Sequence, residues 1–159
     1  LSSEEEGARY TTEALLQQAL VLTDKPIIAA GGIGTTATAL SLIRQGARAV
    51  QIGTAFLLAK EAGTKLAHKK ALIEMKNRKT QLTRAFSGRL ARTIKNQFAE
   101  KYSAVAPSLY PEIHYLTAPL RAAANKKGNA EYLNLWAGEN FAEAQEGSAA
   151  EIVERFTPY

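Results

Sequence analysis

The sequence predicts an α/β fold built on parallel strands. Two short apolar runs, Pro26-Ile27-Ile28-Ala29-Ala30 and Arg48-Ala49-Val50-Gln51-Ile52, each end in a glycine turn, and a helical segment joined by short connections separates them. Helix, strand, helix and strand in that order form the crossover of an α/β protein, and the short connections make the strands neighbours. The turns that close the two runs are Ala29-Ala30-Gly31-Gly32-Ile33-Gly34 and Gln51-Ile52-Gly53-Thr54, with Gly31 and Gly53 22 positions apart. Parallel neighbouring strands bring both turns to the same side of the sheet.

The first helix is expected over Thr12 to Thr23, where Leu15, Leu16, Ala19, Leu20 and Leu22 recur at helical spacing and Thr11 or Thr12 can cap the start. Asp24-Lys25-Pro26 ends it, because proline lacks an N–H and disfavours helix in the residue before it. The run 26–30 reads as a strand covered on both faces. Thr35 or Thr36 caps a second helix to about Gln45, with Ala39, Leu40, Leu42 and Ile43 inward and Gly46 as its stop. After the strand at 48–52, a short helix is expected over 55–59 and a longer one over 65–75, with Leu66, Ala67, Leu72 and Ile73 toward the core. Residues 80–86 alternate as an extended segment, Ser87-Gly88-Arg89 turns, and 90–99 reads as helix. Pro107, Pro111 and Pro119 punctuate a loop region, a helix follows over 118–124, Asn125 to Asn129 forms a loop, and 148–156 is a last amphipathic helix. The domain organisation expected from this is residues 1–60 as the strand-and-turn part and 61–159 as a mainly helical extension.

A chain of 159 residues has room for a core, and a domain of this size buries roughly 70% of the surface its unfolded chain exposes. There is no cysteine, which excludes disulfides, thiolate metal sites and a cysteine nucleophile and fits a reducing, cytoplasmic setting. No apolar run reaches the roughly 18 residues of a membrane span, and the acidic start at Leu1 to Glu6 is not that of a signal peptide. The net charge is +5, and eleven Lys or Arg residues fall between Lys65 and Lys101. They are spread over several elements without interleaved stacking aromatics, so they read as solvated faces and not as a nucleic-acid footprint.

The glycine turns carry the chemistry. A phosphate monoester needs several N–H donors converging on a small volume; glycine lets the backbone come close, and a following helix N-terminus adds aligned N–H groups and a positive dipole end. Gly31-Gly32 leads into the helix that Thr35 or Thr36 caps, and Gly53-Thr54 leads into the short helix from Ala55, with the Thr54 hydroxyl as a further donor. Phosphate sites of β/α barrels are frequently built this way, from two successive strand-to-helix loops and a short extra helix. A lone Gly-Gly is an ordinary tight turn; the pair is more telling. Gly32-Ile33-Gly34-Thr35-Thr36-Ala37 lacks the third glycine of the dinucleotide fingerprint, and no Gly-Lys-Ser/Thr makes a P-loop. Gln51 is polar within an apolar strand, as either a cofactor contact or a hydrogen-bonded core amide.

At these residues the chain resembles the nitronate monooxygenases, formerly called 2-nitropropane dioxygenases. The resemblance rests on four ordered segments: residues 26–33, residues 46–57, Thr83-Arg84-Ala85-Phe86-Ser87-Gly88-Arg89, and Asn134-Leu135-Trp136-Ala137-Gly138. It implies the C-terminal part of a (β/α)8 barrel, its last two strands followed by a mainly helical extension, with FMN at the C-terminal ends of the strands. It implies oxidation of alkyl nitronates by O2 to carbonyl compounds and nitrite. By matching position, Gly32 and the run Gln51, Ile52, Gly53 and Thr54 would bind FMN, with Gly31 contributing an N–H. The family's catalytic base is a histidine in a Gly-Gly-His segment, which these 159 residues do not contain. No catalytic residue is therefore assigned, and His68 and His114 read as surface or structural. A whole barrel takes roughly 250 residues, so the chain is expected to be the C-terminal portion of a larger enzyme, inactive alone and prone to self-association through exposed sheet edges. Two alternatives stand: an FMN-dependent enoyl-(acyl-carrier-protein) reductase, similar across both turns, and a non-catalytic binding module.

Overall fold

The computed structural model describes residues 10–157 of the chain. They fall into two compact units: one formed by residues 10–63 with 140–157, the other by 64–139. The division has two cuts, at 63/64 and 139/140, and the last helix lies in the same unit as the glycine turns.

In the first unit, helix α1 spans Thr12–Leu22, strand β1 Ile28–Ala30, helix α2 Thr36–Arg44, strand β2 Ala49–Gln51, a 3-10 helix Thr54–Leu58, and helix α6 Ala149–Phe156. Strands β1 and β2 are parallel, with Ile28 opposite Ala49, Ala29 opposite Val50 and Ala30 opposite Gln51. Each helix begins where a side-chain oxygen accepts an orphan N–H: Thr11 Oγ1 from Ala14, Thr35 Oγ1 from Thr38, and Ser148 Oγ from Glu151. Glu151 returns a bond to the Ser148 N–H and completes a capping box.

The core of this unit is Leu16, Ala29, Ile33, Ala39, Leu42 and Ala47, with Leu20, Val50, Ile52 and Phe156 packed against it. A second cluster joins Ala55, Ala59 and Ile152 through the same Ile52 and Phe156. The expectation of a strand covered on both faces is not met. Ala29 and Val50 point into the core, while Ile28, Ala30, Ala49 and Gln51 share the opposite face, which no described residue of this unit covers, and Ile28 is 62% exposed. The inward stripes are also narrower than their spacing suggested. Only Leu16 of α1 is fully buried, Leu15 and Leu22 being exposed, and Ile43 of α2 lies outside the core. A helix on a two-stranded ribbon touches it along one row, so two residues per helix do the packing.

The second unit contains helix α3 (Leu66–Glu74), strands β3 (Thr80–Thr83) and β4 (Ala91–Ile94), helix α4 (Gln97–Tyr102), helix α5 (Glu112–Lys126) and a 3-10 turn at Ala130–Tyr132. Strands β3 and β4 are antiparallel, and the segment around Trp136 extends the ladder, with Ile94 N–H donating to Leu135 at 3.0 Å and Ala137 N–H to Arg92 at 3.2 Å. The helix expected over 90–99 is therefore a strand and a shorter helix. The β-branched Thr93 and Ile94 are fully buried in the ladder, and the Asn96 side chain caps α4 by accepting the Ala99 N–H at 3.0 Å. Asn96 also donates to Ala130 and Leu133 carbonyls at 2.9 and 2.7 Å, which ties α4 to the turn beyond α5. Helix α5 starts six residues earlier than expected and carries Pro119 inside it, where its missing N–H costs one bond on an exposed face. In α3 the buried residues are Ala71 and Leu72, while Leu66 is exposed. Phe86 centres this core, stacked on Phe98 at 4.8 Å and edge-on to Trp136 at 5.6 Å.

Candidate functional site

The two glycine turns close β1 and β2 at their C-terminal ends and are neighbours by register, since Ala30 pairs with Gln51. Gly31 and Gly32 both take positive φ, 107° and 68°. That pair of left-handed residues is what only glycine adopts without strain, and it carries the chain sharply from β1 into α2.

Hydrogen bonds hold this turn from the carbonyl side. Thr12 Oγ1 donates to the Gly31 carbonyl at 2.8 Å, and Asn140 Nδ2 donates to the Gly32 carbonyl. Among the described residues the N–H groups of Gly32, Ile33 and Gly34 donate to nothing. Three consecutive unpaired N–H groups stand just before the N-terminus of α2, which Thr35 caps. Unpaired backbone donors at a helix start favour an anion.

Gly53 has a different standing. Its φ of −110° lies in a region open to any residue, and a Cβ placed there would meet no atom within 4 Å. Neither backbone conformation nor packing requires glycine at this position. Its N–H is likewise without a partner among the described residues. A bare backbone facing open space, one residue before the 3-10 helix at Thr54–Leu58, is a cradle that a Cβ would fill. Both turns thus fit a phosphate on the donor set, and at Gly53 the space in front of the backbone is open.

Of the predicted site residues, the structure brings Gly31, Gly32, Gln51, Ile52, Gly53 and Thr54 to one end of one two-stranded sheet. Gln51 is exposed and shares the open face with Ala30, so it is not a core amide. Ile52 turns inward, bridging the unit's two apolar clusters, and offers the site only its backbone. Two residues were missed. By sequence Thr12 stands out only as a helix cap; Thr11 takes that role and leaves the Thr12 hydroxyl for Gly31. Asn140 lies 108 positions from Gly32, and no local pattern could join them.

Both histidines belong to the other unit. His68 sits in α3, where burial pushes its imidazole below the ordinary histidine value, against a smaller opposing effect of a hydrogen bond to the Trp136 carbonyl. His114, placed by sequence in a loop, lies in α5, where the Arg121 guanidinium donates to its carbonyl at 2.7 Å. The basic residues of that unit are partly paired: Arg78 with Glu131 at 2.7 Å, Arg92 with Glu139 at 2.8 Å, Lys70 with Glu74 at 3.7 Å. No helix among the described residues is long and apolar enough to cross a membrane.

The fold is therefore that of an α/β protein with two glycine turns at the C-terminal ends of two parallel strands. The model of the nitronate monooxygenase family matches residues 3–158, and the chain belongs to that family. Probable nitronate monooxygenases of Staphylococcus aureus strains Newman and JH9 are 37% identical over 131 residues, 81% of this chain and 37% of theirs. A nitroalkane oxidase from Streptomyces ansochromogenes superposes with a TM-score of 0.91 at 42% identity, over 98% of this chain and 45% of that one. FabK from Thermotoga maritima superposes with a TM-score of 0.75 at 25% identity, over 92% of this chain and 47% of that one. The chain thus spans less than half the length of these relatives.

Proposed function

We propose that this chain forms the FMN-phosphate end of a nitronate monooxygenase, as the last two strands and helical extension of a (β/α)8 barrel. The activity of the whole enzyme is read as oxidation of alkyl nitronates, or their parent nitroalkanes, by O2 to a carbonyl compound and nitrite. The observation that carries this reading is the row of unpaired N–H groups at Gly32, Ile33 and Gly34 beside the unobstructed Gly53, in a chain of this family.

The residues divide the work. Gly32, Ile33, Gly34 and Gly53 offer backbone N–H groups to the phosphate, and Thr54 offers its hydroxyl. Gly31 makes the bend that aims them. Gln51, on the open face beside Ala30, presents an amide that can donate and accept toward the rest of the cofactor. FMN supplies, when bound, the electron transfer between nitronate and O2. The chain's share is to bind and orient; no residue of it is assigned to proton transfer, and the base belongs to the Gly-Gly-His segment expected in the rest of the enzyme. The 159-residue chain by itself is accordingly read as inactive and as prone to associate with copies of itself.

The test is the affinity of the chain for FMN against riboflavin, which differ by the phosphate alone, read by flavin fluorescence. A preference for FMN of tenfold or more, lost in excess inorganic phosphate, is expected; equal affinities would overturn the site. Nitrite release from an alkyl nitronate by the enzyme carrying the whole barrel tests the activity. NADH consumption dependent on an enoyl thioester would instead favour the reductase.

A further inference from the structure

Resting on that reading of the turns, we infer that Thr12 and Asn140 are positioning residues that decide which side of the first glycine turn is presented to the phosphate. A trans peptide holds its C=O and N–H in one plane, pointing in opposite directions. Fixing the Gly31 carbonyl therefore fixes the direction of the Gly32 N–H, and fixing the Gly32 carbonyl fixes that of the Ile33 N–H. Thr12 Oγ1 does the first, at 2.8 Å, and Asn140 Nδ2 does the second. The two N–H groups so aimed are among those left without a partner in the described residues.

This control matters because a Gly-Gly peptide rotates easily. With φ of 107° and 68° and no Cβ, the plane between Gly31 and Gly32 can turn over at little steric cost. Turned over, it would present carbonyl oxygens to an anion and replace attraction with repulsion. The two side-chain bonds oppose such flips, Thr12 that of the Gly31–Gly32 peptide and Asn140 that of the Gly32–Ile33 peptide, since each bond would be broken by turning over its own peptide. They come from the two chain segments of the unit: Thr12 from α1, Asn140 from the segment leading to α6.

The segment that carries Asn140 is itself anchored. Gly147 bridges Ala59, with Lys60 N–H donating to the Gly147 carbonyl at 2.9 Å, and the Glu61 carboxylate accepts the Ala149 N–H at 2.8 Å. In α6, Arg155 offers its carbonyl to the Thr36 hydroxyl of α2. The stretch from 140 to 149 thus runs as a strap from the first turn to the end of the 3-10 helix that follows the second. At Gly34 the fit is close: a Cβ there would lie 2.7 Å from Asn140 Cβ.

The experiment uses the whole 159-residue chain with Asn140→Asp, which keeps the shape and removes the donor, Thr12→Val, which does the same, and Thr12→Ser, which keeps the donor. The readouts are the ratio of riboflavin to FMN dissociation constants and the hydrogen exchange of the Gly32 and Ile33 amides with and without inorganic phosphate. The unaltered chain is expected to prefer FMN. Asn140→Asp and Thr12→Val are expected to lower that preference about tenfold each, as for loss of one enforced hydrogen-bond geometry, to leave riboflavin affinity alone, and to abolish phosphate protection of the two amides. Thr12→Ser is expected to behave as the unaltered chain. No preference in the unaltered chain would overturn the phosphate reading itself. Preference there, but retained within twofold in both donorless variants, would overturn only the positioning role. Unfolding of both variants would assign the bonds to stability and overturn it as well.

Discussion

Replacing Gly53 by alanine separates what the fold needs from what the cofactor needs. A Cβ on Gly53 would meet nothing within 4 Å, and the residue's φ is −110°, so alanine brings neither a clash nor strain. It removes conformational freedom from the unfolded chain, which stabilises a protein by about 0.4–1 kcal/mol where the native backbone is compatible. For a chain of this length that raises Tm by about 1–4 °C. The same methyl occupies the space in front of the second turn and holds an anion off its N–H. The loss of one close donor to a charged group is about 1.5–3 kcal/mol, a weakening of FMN binding by about tenfold to a hundredfold, with riboflavin affected far less. Differential scanning fluorimetry and parallel FMN and riboflavin titrations measure both. A raised Tm with an unchanged FMN preference would refute the placement of Gly53 at the phosphate. A lowered Tm would refute the structural premise. Gly32→Ala is the contrast: with φ of 68°, alanine there costs about 1–2 kcal/mol of left-handed strain and is expected to lower Tm.

Gly34→Ala places a Cβ against Asn140 and is expected to destabilise by about 1–3 kcal/mol, seen as a lower urea midpoint. Asn96→Ala empties a fully buried side chain that makes three hydrogen bonds and leaves the Ala130 and Leu133 carbonyls without it; a loss of about 3 kcal/mol by chemical denaturation is expected. Glu131 is held below the usual carboxylate range, first by its hydrogen bond from Arg78 and further by the Gln97 N–H. A depressed carboxylate contributes stability that is complete above its unfolded value and is lost as pH falls through the folded one. Glu131→Gln is thus expected to cost about 1 kcal/mol at pH 7 for this partly exposed pair and to flatten the fall in stability below pH ~4. His68 works from the other side: burial depresses its value, so the fold must protonate or expose it at acid pH, and His68→Gln is expected to lessen acid sensitivity between pH ~6.5 and the lower folded value.

The sequence made some elements legible and hid others for reasons of distance. The βαβ unit was readable because its signals are local: proline before β1, threonine caps on α1 and α2, and glycine at each turn. Thr93 and Ile94 misled because alanine, arginine and leucine around them read as helix. The decisive fact is the antiparallel pairing of Arg92 with Leu82 across the Gly88 turn, a tertiary preference over a local one. Pro119 misled in the opposite sense, since a proline on an exposed helix face removes only one bond. At the site, the glycines were visible as composition. The partner carbonyl bonds were not, because Thr12 reaches across 19 positions and Asn140 across 108.

These distances explain how the turn is built. A phosphate cradle needs its N–H groups unpaired, and unpaired N–H groups contribute nothing to holding their own backbone in place. The carbonyl half of the same peptides must do the holding, and it can be bonded only from behind the turn. In a parallel sheet, what lies behind the end of β1 is the helix that precedes it and whatever segment returns to the unit after β2. Here those are α1 and the strap before α6, and each supplies one side-chain donor of suitable length. That is a physical reason for residues 140–157 to fold back onto the unit that begins at residue 10, where a chain ending near residue 63 would leave the Gly32 carbonyl and the end of the 3-10 helix without their partners.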